Sequence, residues 1–520
     1  VQLGGGSSLS CGRRAAACEG GKVEMALALD GFDADSLFNL PCMGYNLEDL
    51  LALPSPAATS EAEVSLTTQL SKNVTLNAPL VAAPMDTVTE ARMAIACALM
   101  GGIGVIHCHC PVAEQARQVD MVKKYENGFI MDPFVLSTSH TVADVDQIRQ
   151  QHDASTVCIT DMGMMGNKFL GIVTSRDIDF IQDRSIRLSE VMTPKARCLT
   201  ACEPISLGEA LEKLVQSKKG KLPILNEDGE LVALVTRSDL KKLKDFPKAS
   251  VDANRQLLVG AAVQPKASEM ERVRALVEAG MDVLFLQASK GCAEQVDFIR
   301  KVKHEFPALD VVAGNVVTPK QAQPLLQAGA DALRVGMGSS SLSSCAEAPA
   351  VGRPLGSAVY HVARFASEFK VPVIADGGIG NNAAAAMALA LGASAFMCGL
   401  LLAGTSESPG DAFYHDGMRL KLYKGISSLE VVPAQLEAKK YSQGENGKVK
   451  RLEGACSCAV VDRGPVKPLL AAFLDGVRKD LKRLGTATVK ELHEDLYAMK
   501  TRFHVRSSAS FAAARRGGLA

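Results

Sequence analysis

A loop of small residues carries the side chains best suited to chemistry in this chain. The segment 331–354 reads DALRVGMGSSSLSSCAEAPAVGRP, so an apolar strand runs directly into glycines and serines. Backbone N–H groups and hydroxyls in such a loop can converge on an anion such as phosphate. Its single thiol, Cys345, is a nucleophile if a neighbouring group lowers its pKa. The loop therefore predicts a phosphate-bearing ligand next to a reactive side chain.

Alternating strands and helices around this loop predict the architecture that positions it. The candidate strands are 79–88, 101–110, 257–263, 282–287, 310–316, 332–337, 371–377 and 394–401. Amphipathic helical patterns such as 270–280 and 358–369 lie between them. Continuous apolar strands with crossover helices indicate a parallel sheet buried on both faces. Eight such units predict an α/β fold, a (β/α)8 TIM barrel, whose chemistry lies in the loops that follow the strands.

An internal repeat interrupts the barrel pattern. FLGIVTSRDIDF at 169–180 matches LVALVTRSDLKK at 231–242. One unit cannot bury its apolar face alone, so the two are expected to form a pseudo-symmetric module. The predicted organisation is a disordered leader 1–24, a barrel of 25–126 and 247–510, repeats 127–185 and 186–246, and a disordered tail 511–520.

Composition narrows the classes of partner. The 520 residues suffice for two or three domains, and 57 Lys+Arg against 57 Asp+Glu give no argument for nucleic acid or an anionic membrane. The 14 cysteines are scattered, which favours free thiols in a reducing compartment. We therefore expect a cytoplasmic protein without a membrane or nucleic-acid partner. Residues 1–24 leave open a targeting segment.

Five long segments carry a family resemblance: APLVAAPMDTVTEA, SKKGKLPI, ADALRVGMGS, VPVIADGGI and DGMRLKLYKG. They resemble inosine monophosphate (IMP) dehydrogenases, and the resemblance covers residues 29–510. It implies oxidation of IMP to xanthosine monophosphate (XMP) with NAD. A cysteine thiolate adds to purine C2, hydride leaves to the nicotinamide, and water hydrolyses the covalent intermediate. It also implies that the repeats are a tandem CBS pair that binds ATP or GTP, and that the chain forms homotetramers or octamers.

The resemblance assigns binding roles to individual residues. The substrate-binding residues are Ser341, Asp376, Gly377, Gly378, Gly399, Tyr423, Gly425 and Glu453. The residues expected beside the cofactor are Gln287, Ser289, Asn315, Gly336 and Gly338. Asp376 matches the carboxylate that binds both ribose hydroxyls, and Arg334 matches a buried structural or active-site arginine. The alternative for Asp376 is a helix cap or turn carboxylate.

The reacting centre departs from the family pattern. Counting without gaps from GMG to GRP, Ser343 occupies the position of the nucleophilic cysteine, and Cys345 lies two residues later. The catalytic candidates are Ser343, Cys345, Lys440 and Tyr441, the last two in place of an Arg–Tyr pair that activates water. Gln287 replaces an aspartate, Ala288 a serine and Leu400 a phosphate-binding serine. A weak K⁺ site is expected at Gly338, Ser340 and Ser343.

The repeats carry a matched set of candidate nucleotide ligands. These are Thr174, Arg176, Asp177, Thr236, Arg237 and Asp239. In CBS repeats the threonine and aspartate commonly hold a nucleotide by phosphate and ribose. The alternative is that each Thr–Asp pair only caps the following helix.

Three functions remain open from the sequence. The first is an active IMP dehydrogenase in which Cys345 reaches purine C2 after a two-residue rearrangement of the loop. The second is a purine-nucleotide-binding paralogue without activity that co-assembles with an active enzyme. The third is a reductase of guanosine monophosphate (GMP), which uses the same missing cysteine. A metal site at His107–Cys108–His109–Cys110 is disfavoured, because zinc ligands are ordinarily spaced by two or more residues.

Overall fold

The architecture is taken from a computed structural model of the chain. It describes residues 31–39, 43–55, 64–125, 129–130, 133–152, 156–203, 205, 207–217, 219–236, 246–288, 293–338, 351–415, 417–424 and 457–507.

Eight parallel strands close into a barrel. In chain order they are Leu80–Ala82, Ile103–Ile106, Val259–Val263, Val283–Leu286, Asp310–Val316, Ala332–Val335, Val373–Asp376 and Ala395–Cys398. Every neighbouring pair is parallel, and the eighth strand pairs with the first through Phe396 and Leu80. The predicted (β/α)8 barrel is therefore confirmed.

Helices cover the outside of the barrel. They are Ala91–Leu99, Val112–Lys123, Met270–Glu278, Ala293–Glu305, Pro319–Gln327, Leu355–Ser367, Asn382–Ala390 and Leu400–Ala403. The start of Pro319–Gln327 follows from its sequence: the Thr318 hydroxyl accepts from the Gln321 backbone N–H, and proline occupies the first helical position. Because strands and helices bury apolar side chains together, one continuous core holds the barrel.

The two ends of the described chain meet at one small sheet. Phe32–Asp33 and Leu50–Ala52 both pair antiparallel with Arg502–Val505. The helices Val466–Arg483 and Val489–Tyr497 precede that last strand, and the short helix Ala34–Phe38 follows the first. Two further antiparallel sheets are formed by Thr68–Gln69 with Thr75–Leu76, and by Ala412–His415, Met418–Lys424 and Ser457–Val461. Among the described helices, none has the length and apolar character to cross a membrane.

The segment with the internal repeat forms two four-stranded sheets. One contains Val135–Ser137, Thr156–Thr160, Phe169–Thr174 and Thr193–Pro194, with helices Val142–His152, Ser175–Ile178 and Leu188–Val191. The other contains Ala201–Cys202, Lys221–Leu225, Leu231–Thr236 and Phe129–Ile130, with helix Leu207–Ser217. Each repeat thus has the order strand, helix, strand, strand. The domain boundaries 127–185 and 186–246 and the CBS assignment stay predictions.

Apolar side chains from both repeats share one cluster. Cys158, Phe169 and Ile172 come from the first repeat, and Leu225, Leu231 and Leu234 from the second. Each sheet also has its own small core on its other face. The shared cluster explains why the two units pack as a pair: either alone would leave Phe169 or Leu234 in water.

A buried lysine ties the start of the third barrel strand to its neighbours. The Lys123 ammonium donates to Asp252 Oδ2 at 2.8 Å and to both carboxylate oxygens of Asp282 at 3.0 Å. The lysine side chain is only 6% exposed. Burial raises the pKa of Asp282 despite the neighbouring ammonium, so its charged form depends on Lys123.

Replacing Lys123 with methionine should destabilise the barrel, because it leaves two partly buried carboxylates without a cation. A broken buried pair costs about 3–5 kcal/mol, which should lower the midpoint of thermal unfolding by at least about 5 °C. Lys490→Met is the matched control: Lys490 pairs with Glu494 at 3.7 Å on an exposed helix face, and its midpoint should not move measurably. Equal midpoints for the two variants would contradict a structural role for the Lys123 cluster.

Candidate functional site

Three polar side chains meet where the fifth, sixth and seventh barrel strands end. The Asn315 amide donates to Asp376 Oδ2 at 2.8 Å and to the Gly336 carbonyl oxygen at 2.8 Å. Arg334 Nε donates to Asn315 Oδ1 and lies 3.3 Å from Asp376 Oδ2. Arg334 is buried, whereas the Asp376 side chain is 24% exposed. The buried cation and amide hold the carboxylate in place while part of it stays accessible to solvent.

Glycines around Asp376 keep that mouth open. Gly336 has φ +147°, and a Cβ there would clash with the Asp376 carbonyl oxygen. Gly377 and Gly378 have φ of +110° and +68°, a backbone region that other residues rarely adopt. Glycine at 336 therefore has a steric reason, and glycine at 377 and 378 has a conformational one; their binding roles stay predictions.

The predicted substrate-binding residues Gly399 and Tyr423 lie next to each other. A Cβ on Gly399 would stand 2.8 Å from the Tyr423 hydroxyl oxygen and 3.3 Å from Met85 Sδ. Tyr423 is 3% exposed, and its hydroxyl contacts Met85 Sδ at 3.8 Å. The backbone N–H of Lys424 donates to Thr87 Oγ1 at 3.1 Å, which joins this strand to the loop after the first barrel strand. Leu400, next to Gly399, supplies no hydroxyl and is 37% exposed.

Gln287 lies buried at the end of the fourth barrel strand. Its Oε1 accepts from Cys108 Sγ at 3.5 Å, and its Nε2 is buried without a hydrogen-bond partner. An unpartnered buried donor is costly unless a ligand supplies an acceptor. The carboxamide oxygen of a nicotinamide is such an acceptor, so the Gln287 side chain fits the cofactor as a donor. Two other predicted cofactor residues, Asn315 and Gly338, lie at the ends of neighbouring strands. NAD would supply the hydride acceptor there.

The segment after the second barrel strand brings to this region side chains that were not among the predicted site residues. The rings of His107 and His109 stack at 5.9 Å, and His109 Nδ1 is buried without a partner. Burial, and then the neighbouring His107, lower the pKa of His109. Burial raises the pKa of Cys108 to about 11, which disfavours the thiolate form of this side chain. Their place after a barrel strand was the signal that could have found them.

Within the described residues, no group of three or more His, Cys, Asp or Glu side chains is arranged to bind a metal ion. Several predicted site residues lie outside the described part of the chain. These are Ser289, Ser340, Ser341, Ser343, Cys345, Gly425, Lys440, Tyr441 and Glu453, together with Arg237 and Asp239 of the second repeat. Of the weak K⁺ site, only Gly338 is described, and the site stays a prediction.

The Thr–Asp pair of the first repeat forms a capping box. Asp177 Oδ2 accepts from the backbone N–H and the hydroxyl of Thr174, both at 2.7 Å. The helix Ser175–Ile178 begins at this cap, and Arg176 on it is exposed. In the second repeat, Thr236 is fully buried at the end of its strand. Thr174 and Asp177 therefore cap the following helix in this structure, as the alternative interpretation expected. Nucleotide binding by the same residues stays a prediction.

These features define a class: a (β/α)8 barrel with a cluster of polar side chains at the carboxyl ends of its strands. Residues 44–515 match the IMP dehydrogenase / GMP reductase domain, and the chain belongs to that family. It is 44% identical to the inosine-5′-monophosphate dehydrogenase of Toxoplasma gondii, over 92% of this chain and 96% of that protein. It is also 44% identical to the enzyme of Schizosaccharomyces pombe, over 92% and 93%. IMP dehydrogenases are NAD-dependent oxidoreductases.

Solved structures agree with the fold. A GMP reductase variant from Trypanosoma brucei, in complex with guanosine 5′-monophosphate, superposes with a TM-score of 0.80 at 30% identity, covering 94% of this chain and 100% of that one. The same organism's GMP reductase in complex with guanosine 5′-triphosphate gives a TM-score of 0.70 at 29% identity, covering 91% and 100%.

Gly336→Ala should disrupt the site, because the added methyl collides with the Asp376 carbonyl and the backbone conformation is strained for alanine. We expect a lower midpoint of thermal unfolding and loss of IMP binding. Gly380→Ala is the control in the neighbouring loop, since a Cβ there meets nothing within 4 Å. Calorimetric titration with IMP measures both variants. Unchanged IMP affinity in Gly336→Ala would show that the close approach to Asp376 does not shape the site.

Proposed function

We propose that this chain binds IMP at the carboxyl ends of the barrel strands and oxidises it to XMP with NAD, at a rate limited by the side chain at position 343. The main support for this proposal is the hydrogen-bonded network of Arg334, Asn315 and Asp376. It presents a carboxylate with the acceptor oxygens that a vicinal ribose diol requires. Gly399 and Tyr423, which lie next to each other, are proposed to contact the phosphate of IMP.

The comparisons favour IMP over GMP as the reacting substrate. Identity is 42–44% with curated IMP dehydrogenases, against 29–30% with the solved GMP reductases. In the proposed reaction IMP, NAD⁺ and water give XMP, NADH and a proton. The purine loses hydride from C2 and gains the oxygen of water there, so the balance needs no other reactant.

The chemistry of position 343 sets the expected rate. A serine hydroxyl is a poor nucleophile without an adjacent base, whereas a thiol has a pKa of about 8.5 and is readily activated. Loss of a nucleophile has cost about six orders of magnitude in kcat in a well-studied protease. We therefore expect a low turnover rate because serine occupies the nucleophile position. We propose that Cys345 and the pair Lys440–Tyr441 support the remaining reaction.

The repeat module is proposed to bind a purine nucleotide such as ATP or GTP. The threonines Thr174 and Thr236 stand at equivalent strand ends of the two sheets, next to Asp177 in the first repeat. The sequence adds Arg176, Arg237 and Asp239. We also propose a cytoplasmic homotetramer or octamer with K⁺ as a candidate activating ion.

A second candidate function has its own support. Gln287 stands where the family has an aspartate, and Leu400 stands where the family has a phosphate-binding serine. These changes fit a paralogue that binds purine nucleotides without turnover and assembles with an active enzyme. Such a protein would retain IMP binding and form no NADH.

The test compares four proteins in one assay of IMP-dependent NADH formation: wild type, Ser343→Cys, Cys345→Ala and the double variant. We expect slow wild-type turnover and a gain of at least about a hundredfold in Ser343→Cys, because a thiol restores the nucleophile. The double variant separates the two thiols: its activity should equal that of Ser343→Cys if position 343 is the reacting one.

Two results would contradict the proposal. IMP binding by calorimetry without NADH formation in any variant would establish the second candidate function. Oxidation of NADPH with GMP as substrate, in the absence of IMP oxidation, would assign the chain to the reductases instead.

A further inference from the structure

Lys421 is a buried lysine in the strand Met418–Lys424, two residues before Tyr423. It is only 5% exposed. Its ammonium donates to the carbonyl oxygen of Thr405 at 2.7 Å and to that of Ser408 at 2.6 Å. Taking an ammonium out of water is costly, and burial accordingly lowers the pKa of Lys421. An apolar side chain would fill the same space without this cost, which points to a specific role for the cation.

The two carbonyls belong to the turn that follows the short helix after the eighth barrel strand. The Thr405 hydroxyl donates to the Leu402 carbonyl oxygen at 2.8 Å, and the Ser408 hydroxyl donates to that of Ala403 at 2.7 Å. Both hydroxyl-bearing residues are buried. The turn is therefore fixed to the last residues of the helix, and Lys421 joins its own strand to this fixed turn.

The other end of that helix, Leu400–Ala403, meets the same strand. Gly399 precedes the helix, and a Cβ on Gly399 would stand 2.8 Å from the Tyr423 hydroxyl oxygen. Residues two apart on an antiparallel strand are separated by about 6.8 Å, and four helical residues span about 6 Å. The strand thus contacts both ends of the helix, through Lys421 at its end and through Tyr423 at its beginning.

The beginning of this helix is the proposed place for the phosphate of IMP. Leu400 stands where the family has a phosphate-binding serine, and it supplies no hydroxyl. The Tyr423 hydroxyl therefore has a larger share in the phosphate contact, and its place depends on how the strand lies along the helix. A hydrogen bond of ordinary length is lost when its two atoms move apart by about 1 Å.

We propose that Lys421 is a positioning residue for the phosphate site, because it fixes the strand against the turn and thereby sets the place of the Tyr423 hydroxyl beside Gly399. Lys421 itself does not touch the ligand. Both of its partners are backbone carbonyls, so the contact fixes the course of the chain rather than one side-chain rotamer. The inference rests on the proposed function, in which Gly399 and Tyr423 contact the phosphate of IMP.

The test is a double-mutant cycle of IMP binding, measured by calorimetric titration of the full chain as wild type, Lys421→Met, Tyr423→Phe and the double variant. Lys421→Met keeps a long side chain and removes the cation. We expect each single variant to lose at least about tenfold in IMP affinity. The double variant should lose no more than about twofold beyond Tyr423→Phe, because Lys421 acts through that hydroxyl.

Arg419→Met is the matched control on the same strand. Arg419 Nε pairs with Asp462 Oδ2 at 3.1 Å, and its side chain is 56% exposed. Removing this cation disturbs an ion pair at the opposite end of the strand from Tyr423, so IMP affinity should stay within about twofold of the wild type. Thermal unfolding verifies that each variant is folded at the titration temperature. Lys421→Gln takes the place of Lys421→Met in the cycle if the methionine variant is unfolded, and the same coupling is expected.

Three results would overturn the inference while the proposed function stands. They are wild-type IMP affinity in Lys421→Met when Tyr423→Phe has lost affinity, losses that add in the double variant, and an equal loss in Arg419→Met. A wild-type protein that does not bind IMP, or unchanged affinity in Tyr423→Phe, would instead contradict the phosphate assignment in the proposed function and the inference with it.

Discussion

The contact between Arg334 and Asp376 organises the mouth of this barrel. A carboxylate at the end of a buried strand would be expensive without a counter-charge. Arg334 supplies that charge from the adjacent strand, and Asn315 connects the two by hydrogen bonds to both. The backbone beside this contact needs glycine: Gly336 passes too close to the Asp376 carbonyl for a side chain, and Gly377 and Gly378 adopt positive φ. Arg334 and Asn315 thus stabilise the Asp376 carboxylate in the folded protein, while its exposed part remains available to a ligand.

Much of this arrangement was predictable from the sequence. Eight apolar strands with crossover helices predicted the barrel, and the strand ends placed Asn315, Gly336 and Asp376 on one face. The family resemblance predicted Gly399 and Tyr423 as substrate-binding residues; the structure places them next to each other, and their contact with substrate stays a prediction. These features were predictable because burial and strand periodicity are local properties of the sequence, and a closed barrel brings all its carboxyl ends together.

Other features depend on contacts that no local pattern encodes. The hydrogen bond between Cys108 and Gln287 joins loops 179 residues apart, and the unpaired amide of Gln287 follows from the neighbours that surround it. The cavity between the strand Leu50–Ala52 and the helix Asn382–Ala390 likewise depends on which elements face each other. The capping box of Thr174 and Asp177 shows the opposite case: the sequence allowed both a cap and a nucleotide ligand, and the described geometry is that of the cap.

We expect Asp376 to hold a purine nucleotide by its ribose diol even though the residue at the nucleophile position, Ser343, has changed. Calorimetric titration of wild type and Asp376→Asn with IMP and with 2′-deoxy-IMP tests it most directly. If Asp376 binds the ribose diol, the wild-type protein should bind IMP at least about tenfold more tightly than 2′-deoxy-IMP, and Asp376→Asn should lose this preference. A wild-type protein that does not distinguish the two ligands, or a preference that survives in Asp376→Asn, would contradict it.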